Sequence, residues 1–284
     1  MSKIRICADS TCDLSPELIE KYNITITPLQ IFLGDKDYTD QKDIFPQTIY
    51  DYVAKTGILP KTAAVSVGTY TDVFTELKKD CDEIIHFTIS SEMSSCYQNA
   101  KLAAADFDNV YVVDSRNLST GHGLVVLEAE RMAREGMEPD DIVAALHDLT
   151  GRVEASFILD RLDYMKMGGR CSAVTLLGAN LLKLRPCIEV KDGKMGVGKK
   201  YRGSFEKCLV QYITDKIGAR SDLELRRVFI THSGLPEEMV QKAVETVQKL
   251  QPFDEICVTR AGCTVSSHCG PRTIGVLYIR KAEA

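Results

Sequence analysis

The sequence predicts an α/β fold in two parts, the first built on a mostly parallel sheet and the second on a mixed, partly antiparallel one. Two observations carry this. From the N-terminus to about residue 150, short apolar runs alternate with helical patterns, the order that parallel strands with crossover helices require. Beyond it, "CIEVKDGKMGVGKKY" (187–201) reads as two strands joined at an Asp-Gly turn, the strongest short-range hairpin signal. The 284 residues exceed an ordinary single domain, so the division is placed at residue 152, giving domains 1–152 and 153–284.

The elements follow in order. "KIRICAD" (3–9) is a buried strand, and 15–23 a helix with Ser15 as N-cap and Pro16 at its first position. "ITITPLQIFL" (24–33) is β-rich, and "DEIIHFTIS" (82–90) and "NVYVVDS" (109–115) are further strands. Helical patterns cover 69–80, 94–106 and 119–136. In the second part, 151–160 is a strand, followed by helix or turn through "NLLKLRP" (180–186) and the 187–201 hairpin. Helices at 203–220 and 235–250 then alternate with strands at 226–232, 254–259 and 273–281.

Composition narrows the function classes. Hydrophobic residues make up 44% and charged residues 26%, and the net charge is −5. That argues against a nucleic-acid binder, which needs a basic face, but not against a small anion held by local donors. No run of 18 apolar residues occurs, and the N-terminus carries no secretory h-region. Ten cysteines are dispersed, several within apolar runs and none in a C-x-x-C pair. Reduced, mostly buried thiols in a cytoplasmic protein are therefore expected.

Several motifs suggest chemistry. "GKMGVGKK" (193–200) nearly fits a phosphate loop, but Lys200 stands where a hydroxyl is needed and the context is a hairpin. "GCTVSSHCGP" holds Cys263, His268 and Cys269; their spacing does not fit a structural zinc site, and no metal is expected. It reads instead as a Ser/Thr/Gly-rich loop ahead of a strand, suited to an anion. "ADSTCD" (8–13), "ISSEMSSCYQNA" (89–100) and "VDSRNLSTG" (113–121) each put hydroxyls or Asp-Ser at the end of a strand, where α/β sheets bind ligands. Taken singly, each is better explained by helix capping. "MKMGGRCS" (165–172) sets two glycines before Arg170, an arginine available to an anion or to an interdomain salt bridge.

Taken together and in this order, these pieces resemble the DegV family of bacterial proteins along essentially the whole chain. "ADSTCDL", "PKTAAVS" (60–66), "ISSEMSSCYQNA", "VVDS", "MGGRCS", "KLRPCIEVKDGKM", "KKYRG" (199–203) and "SSHCGPRTIG" carry the resemblance. It implies two α/β domains holding a long-chain fatty acid between them. It implies also a carrier without catalytic residues or cofactor, which presents the carboxylate to the catalytic subunit of a fatty-acid kinase. The acyl phosphate formed there feeds phospholipid synthesis, with transient membrane contact and no nucleic-acid partner.

By the same resemblance, Thr62, Ser94, His268 and Arg170 face the carboxylate and Arg202 engages the kinase. Ala63 and Ala64 replace polar residues of the family pattern, Ser95-Cys96 replace Gly-Thr, and Arg272 replaces a glycine. Arg272 either adds charge at the ligand mouth or points to solvent. The apolar segments 157–165 and 173–184 are candidates for the tail lining or for ordinary core. The alternative is a hydrolase or acyltransferase with Ser94 or Cys269 as nucleophile and His268 as base.

Overall fold

The computed structural model describes residues 3–171 and 184–282. The first part holds a parallel sheet of β1 (Ile4–Asp9), β2 (Thr25–Thr27), β6 (Glu83–Thr88) and β7 (Val110–Asp114), in the order β2-β1-β6-β7. Between its strands run α1 (Pro16–Lys21), α2 (Pro46–Thr56), α3 (Val67–Leu77) and α4 (Cys96–Ala104). The second part is a six-stranded sheet in the order β10-β9-β8-β13-β11-β12. Its strands are β8 (Val153–Ile158), β9 (Leu184–Lys191), β10 (Lys194–Arg202), β11 (Leu223–His232), β12 (Glu255–Arg260) and β13 (Ile274–Arg280). Only β11 and β12 pair in parallel, so the expected mixed sheet is present.

Three departures from the expectations matter for the site. The run 24–33 is not one strand. Pro28 has no N–H to give a ladder, and the chain leaves the parallel sheet there. It re-forms as β3 (Gln30–Leu33) in a separate antiparallel sheet with β4 (Lys36–Thr39) and β5 (Lys61–Ala63). Second, α6 (Pro139–Arg152) fills a stretch that carried no expectation. Its signals were present: Pro139 at the first position, Asp140 and Asp141 in the first turn, and Ile142, Leu146 and Leu149 on one face. Third, residues 263–269 form a helix, not a loop, described below. The expected segments 172–183, including nearly all of the 173–184 tail candidate, lie outside the described residues.

Helix α5 (Ser119–Arg134) joins the two sheets. Residues Ser119 to Leu127 are buried without interruption, the pattern of a helix covered on every side. It packs on β1 and β6 from the first sheet and on β8, β11 and β13 from the second. Close approach is allowed by glycine: a Cβ at Gly123 would lie 2.7 Å from the carbonyl oxygen of Cys12. One apolar core therefore runs from Ile6, Ile85 and Phe87 through Leu124 and Val125 to Phe157 and Leu277. A second fills the far face of the six-stranded sheet around Tyr212, Val228 and Tyr278. There α8 (Phe205–Ile217) and α9 (Glu237–Leu250) cover it.

Candidate functional site

The site is built around α10 (Cys263–Cys269), whose sequence Cys-Thr-Val-Ser-Ser-His-Cys has little helical preference of its own. Its free N–H groups are taken up by two buried carboxylates from distant parts of the chain. Asp13 accepts from the Gly262 N–H at 2.8 Å, and Asp40 accepts from Cys263 N–H at 2.7 Å and Thr264 N–H at 3.2 Å. Asp40 also accepts from the hydroxyls of Thr264 at 2.6 Å and Ser10 at 2.9 Å. Acceptors that satisfy the open N–H groups of a helix start stabilise it, and these caps override a poor local propensity. The "ADSTCD" motif thus anchors the start of α10 through Asp13, while its Asp9 accepts from the Ile89 N–H at 2.8 Å beyond β6. Burial pushes the Asp9 carboxyl up to about 6 and that of Asp13 to about 8.

The last turn of α10 delivers His268. Its Nε2 lies 2.9 Å from Oγ1 of Thr62 on β5. Burial first, and the Arg170 charge second, lower the imidazole to about 4, so it is neutral at pH 7. Nδ1 is buried and without a hydrogen-bond partner. Above it runs the turn after α7 (Asp163–Gly168), where a Cβ at Gly168 would come within 2.6 Å of Nδ1. Gly169, at φ +68°, closes that helix in the left-handed region. The two glycines of "MGGR" therefore have separate tasks, one admitting the imidazole and the other turning the chain.

Thr62, Ser94, Arg170 and His268 line one pocket of about 60 Å³, so the residues expected from sequence are brought together. Ser94 precedes α4; its hydroxyl accepts from Cys96 N–H at 3.3 Å and donates to Cys96 Sγ at 3.2 Å. Arg170 is exposed, donates to the carbonyl of Gly168 at 3.1 Å and has no ion pair among the described residues. The alternative of an interdomain salt bridge is not realised there. The other walls are apolar: Leu29, Ile89, Met93, Leu118, Met195 and Val265. Ala63 and Ala64 are among the lining residues. A smaller cavity, of about 30 Å³, reaches Phe157 and Leu277 and shares Leu118, Val265 and Cys269 with the first.

Other expected positions lie elsewhere. Arg202 is exposed at the end of β10, opposite Leu184, and does not line the pocket. Arg272 neither adds charge at the mouth nor runs free into solvent: its Nε donates to Asp160 at 2.7 Å and its guanidinium stacks on Phe205. Residues 193–200 fall in the hairpin and strand β10, with Asp192 and Gly193 at the turn, both at positive φ. Nine of the cysteines are buried and Cys257 is half-buried. Among the described residues no three His, Cys, Asp or Glu side chains are grouped to hold a metal ion, and no helix is long and apolar enough to cross a membrane. Sequence reasoning missed Asp40, Met93, Met195 and Leu118; Asp40 stands beside Gln41 in a polar stretch that gave no sign of burial.

Residues 3–281 match a family profile described as an uncharacterised protein of the DegV family. This chain belongs to the DegV family. A DegV domain-containing protein of Caldanaerobacter subterraneus subsp. tengcongensis is 31% identical, with 99% of this chain and all of that one covered. Among solved structures, a DegV family protein from Thermus thermophilus described for its fatty acid binding superposes with a TM-score of 0.91 at 28% identity, covering 98% and 99% of the two chains. A stearic acid-binding protein from Eubacterium ventriosum gives 0.83 at 28% identity over 99% of each. The parallel first sheet and mixed second sheet are thus the DegV architecture.

Proposed function

We propose that this protein binds a long-chain fatty acid, with its carboxylate at Thr62, Ser94, His268 and Arg170 and its tail among apolar residues where the two parts of the chain meet. One observation carries the reading. Four polar side chains from separate parts of the chain converge on a pocket whose remaining walls are apolar, and among the described residues the cation of the four has no carboxylate partner. The fatty acids named for the related structures support the same ligand class.

The chemistry is consistent. A neutral His268 with its proton on Nε2 donates to Thr62 Oγ1, which leaves the Thr62 hydroxyl proton free to point at a carboxylate. Ser94 supplies a second hydroxyl, and Arg170 supplies the charge. Charge-assisted bonds of this kind are about twice as strong as neutral ones. The tail supplies affinity, roughly 0.8 kcal/mol gross for each methylene removed from water. Leu118, Val265 and Cys269, shared by both cavities, mark a route for it toward Phe157 and Leu277. In this reading the division near residue 152 separates the two parts between which the acid lies.

The finer reading is a carrier that presents the carboxylate to the catalytic subunit of a fatty-acid kinase in the cytoplasm, with Arg202 at that contact and the acyl phosphate destined for phospholipid synthesis. The exposure of Arg202 away from the pocket supports a role in docking over one in holding the acid. The hydrolase alternative is less well supported, since His268 pairs with Thr62 while Ser94 pairs with Cys96, and burial pushes the Cys269 thiol up to about 12.

The test is organic extraction of the protein purified from bacteria, followed by mass spectrometry. A near-stoichiometric fatty acid supports the carrier reading. Release of product from a chromogenic acyl ester by the protein alone would replace that reading with the nucleophile one.

A further inference from the structure

The β9–β10 hairpin reaches from the edge of the six-stranded sheet across to the first part of the chain. Its tip is a two-residue turn, Asp192-Gly193, with φ of +51° and +78°, the left-handed pair that a tight hairpin uses. The tip is gripped. The Ser90 hydroxyl donates to the carbonyl of Gly193 at 2.7 Å in a buried contact, and the Arg116 guanidinium donates to the carbonyl of Asp192. Lys194 pairs with Glu92 at 3.3 Å. A Cβ at Gly193 would lie 2.6 Å from Ser90 Oγ and 2.9 Å from Arg116 Cζ, so the turn is clamped between those two side chains.

Three facts connect this clamp to the pocket. Met195, two residues past the tip, is a pocket wall beside Met93 and Ser94. The carbonyl of Ser90 accepts from the N–H groups of Met93 at 2.9 Å and Ser94 at 3.2 Å, so the residue that grips the tip also shapes the turn carrying Ser94. Behind the hairpin, a cleft of about 900 Å³ separates Asp114, Leu146 and His147 from Glu189, Asp192 and Lys216. β9 leaves its pairing with β8 after Glu189 and the cleft is lined by residues 189–193, so it is the tip of the hairpin that projects beyond the sheet, held by Ser90, Arg116 and Glu92 and by the Cys171 thiol at the Met195 carbonyl. Meanwhile the pocket, at about 60 Å³, is well below the roughly 300–1,000 Å³ of sites that enclose a drug-sized ligand.

We propose that the β9–β10 hairpin is the gate of the pocket, latched at Ser90 and Arg116, and that withdrawal of its tip carries Met195 outward to admit or release an acyl chain. The proposal rests on the fatty-acid reading above. Loops and lids of this kind set exchange rates without contributing to the chemistry of the site, and a latch holding a gate shut slows entry and exit together.

The experiment is stopped-flow binding and release of cis-parinaric acid, a fluorescent eighteen-carbon acid, by the full chain and by Ser90→Ala and Arg116→Ala. Arg116 is partly exposed, so its variant keeps the test open should Ser90→Ala fold poorly. Both rate constants are expected to rise at least fivefold in each variant, with the dissociation constant changed less than threefold. Unchanged rates would overturn the gate and leave the carrier reading standing. Faster release alone, with affinity weakened in proportion, would also overturn it, because the contacts would then stabilise the occupied site and not bar its entrance. Failure of the unaltered protein to bind the acid would overturn the carrier reading, and the gate with it.

Discussion

Thr62 and His268 lie 206 residues apart in the chain and 2.9 Å apart in space, hydroxyl oxygen to imidazole Nε2. The pair puts a neutral ring and a hydroxyl in series at the pocket. Thr62→Val keeps the shape and removes the hydroxyl. Hydrogen bonds to charged groups contribute about 1.5–3 kcal/mol, so affinity for a fatty carboxylate is expected to fall roughly 10- to 100-fold. The fatty alcohol of equal length, lacking the charge, should lose much less. Titration calorimetry with the two ligands separates a head-group contact from a general loss of fit.

Gly168 should be as sensitive as the residues proposed to hold the carboxylate. Alanine there needs space now held by His268 Nδ1, and the imidazole must turn away from Thr62. Gly168→Ala is expected to weaken binding about as much as His268→Ala. In the double variant the two losses should not add, since the second change removes what the first displaces. Additive losses would show that Gly168 acts apart from the histidine.

Asp40 bears on stability more than on ligand contact. Asp40→Ala leaves two main-chain N–H groups at the start of α10 and two hydroxyls without their acceptor. Each buried group left unsatisfied costs about 1–3 kcal/mol. The urea midpoint is expected to drop by an amount equivalent to several kcal/mol, with little change in slope. The circular dichroism of the folded state should remain near that of the parent at low urea.

Stability should also fall in acid through His86. The ring is buried against Tyr70 and Phe74, neither nitrogen has a partner, and burial lowers it to about 3. Its ordinary value near 6.5 applies in the unfolded chain, which therefore binds the extra proton between pH 6.5 and 3. The stability associated with neutral His86 is complete above 6.5 and is lost as the pH drops through that window. Asp9 and Asp13 act in the opposite sense: their raised values, about 6 and 8, mean that stability is lost as the pH rises from about 4 toward those values. Replacing His86 with Phe should leave the carboxylate contribution and remove about 1.4 kcal/mol per pH unit from the slope between pH 6 and 4. Chemical denaturation across that range measures it.

What could be read from the sequence was local. The Asp192-Gly193 hairpin was legible because its signal occupies two adjacent residues. Strand β1 and helix α9 were legible because their apolar periodicity is contained within each segment. The four residues assigned to the head group came from a resemblance; residue by residue, Ser94 was open to capping, Arg170 to a salt bridge and His268 to a metal or catalytic role. Helix α10 was not legible, because what makes it a helix is Asp13 and Asp40, more than 200 residues upstream. Of the small sheet, β3 fell inside the β-rich run 24–33, while β4 and β5 were missed because strands of three or four residues are too short to establish a period. The pocket walls Met93 and Met195 belong to opposite parts of the chain, and only the fold puts them side by side.

The burial of the first half of α5 on every side has a consequence for the chain as a whole. Sheets that merely touch can part, but here each rests on an opposite flank of one rod, and that rod belongs by sequence to the first part. Severing the polypeptide near residue 152 would leave one fragment with its central helix stripped along a flank and the other with a bare face on β8 and β13. The two parts are thus obligate companions, which fold and fail together.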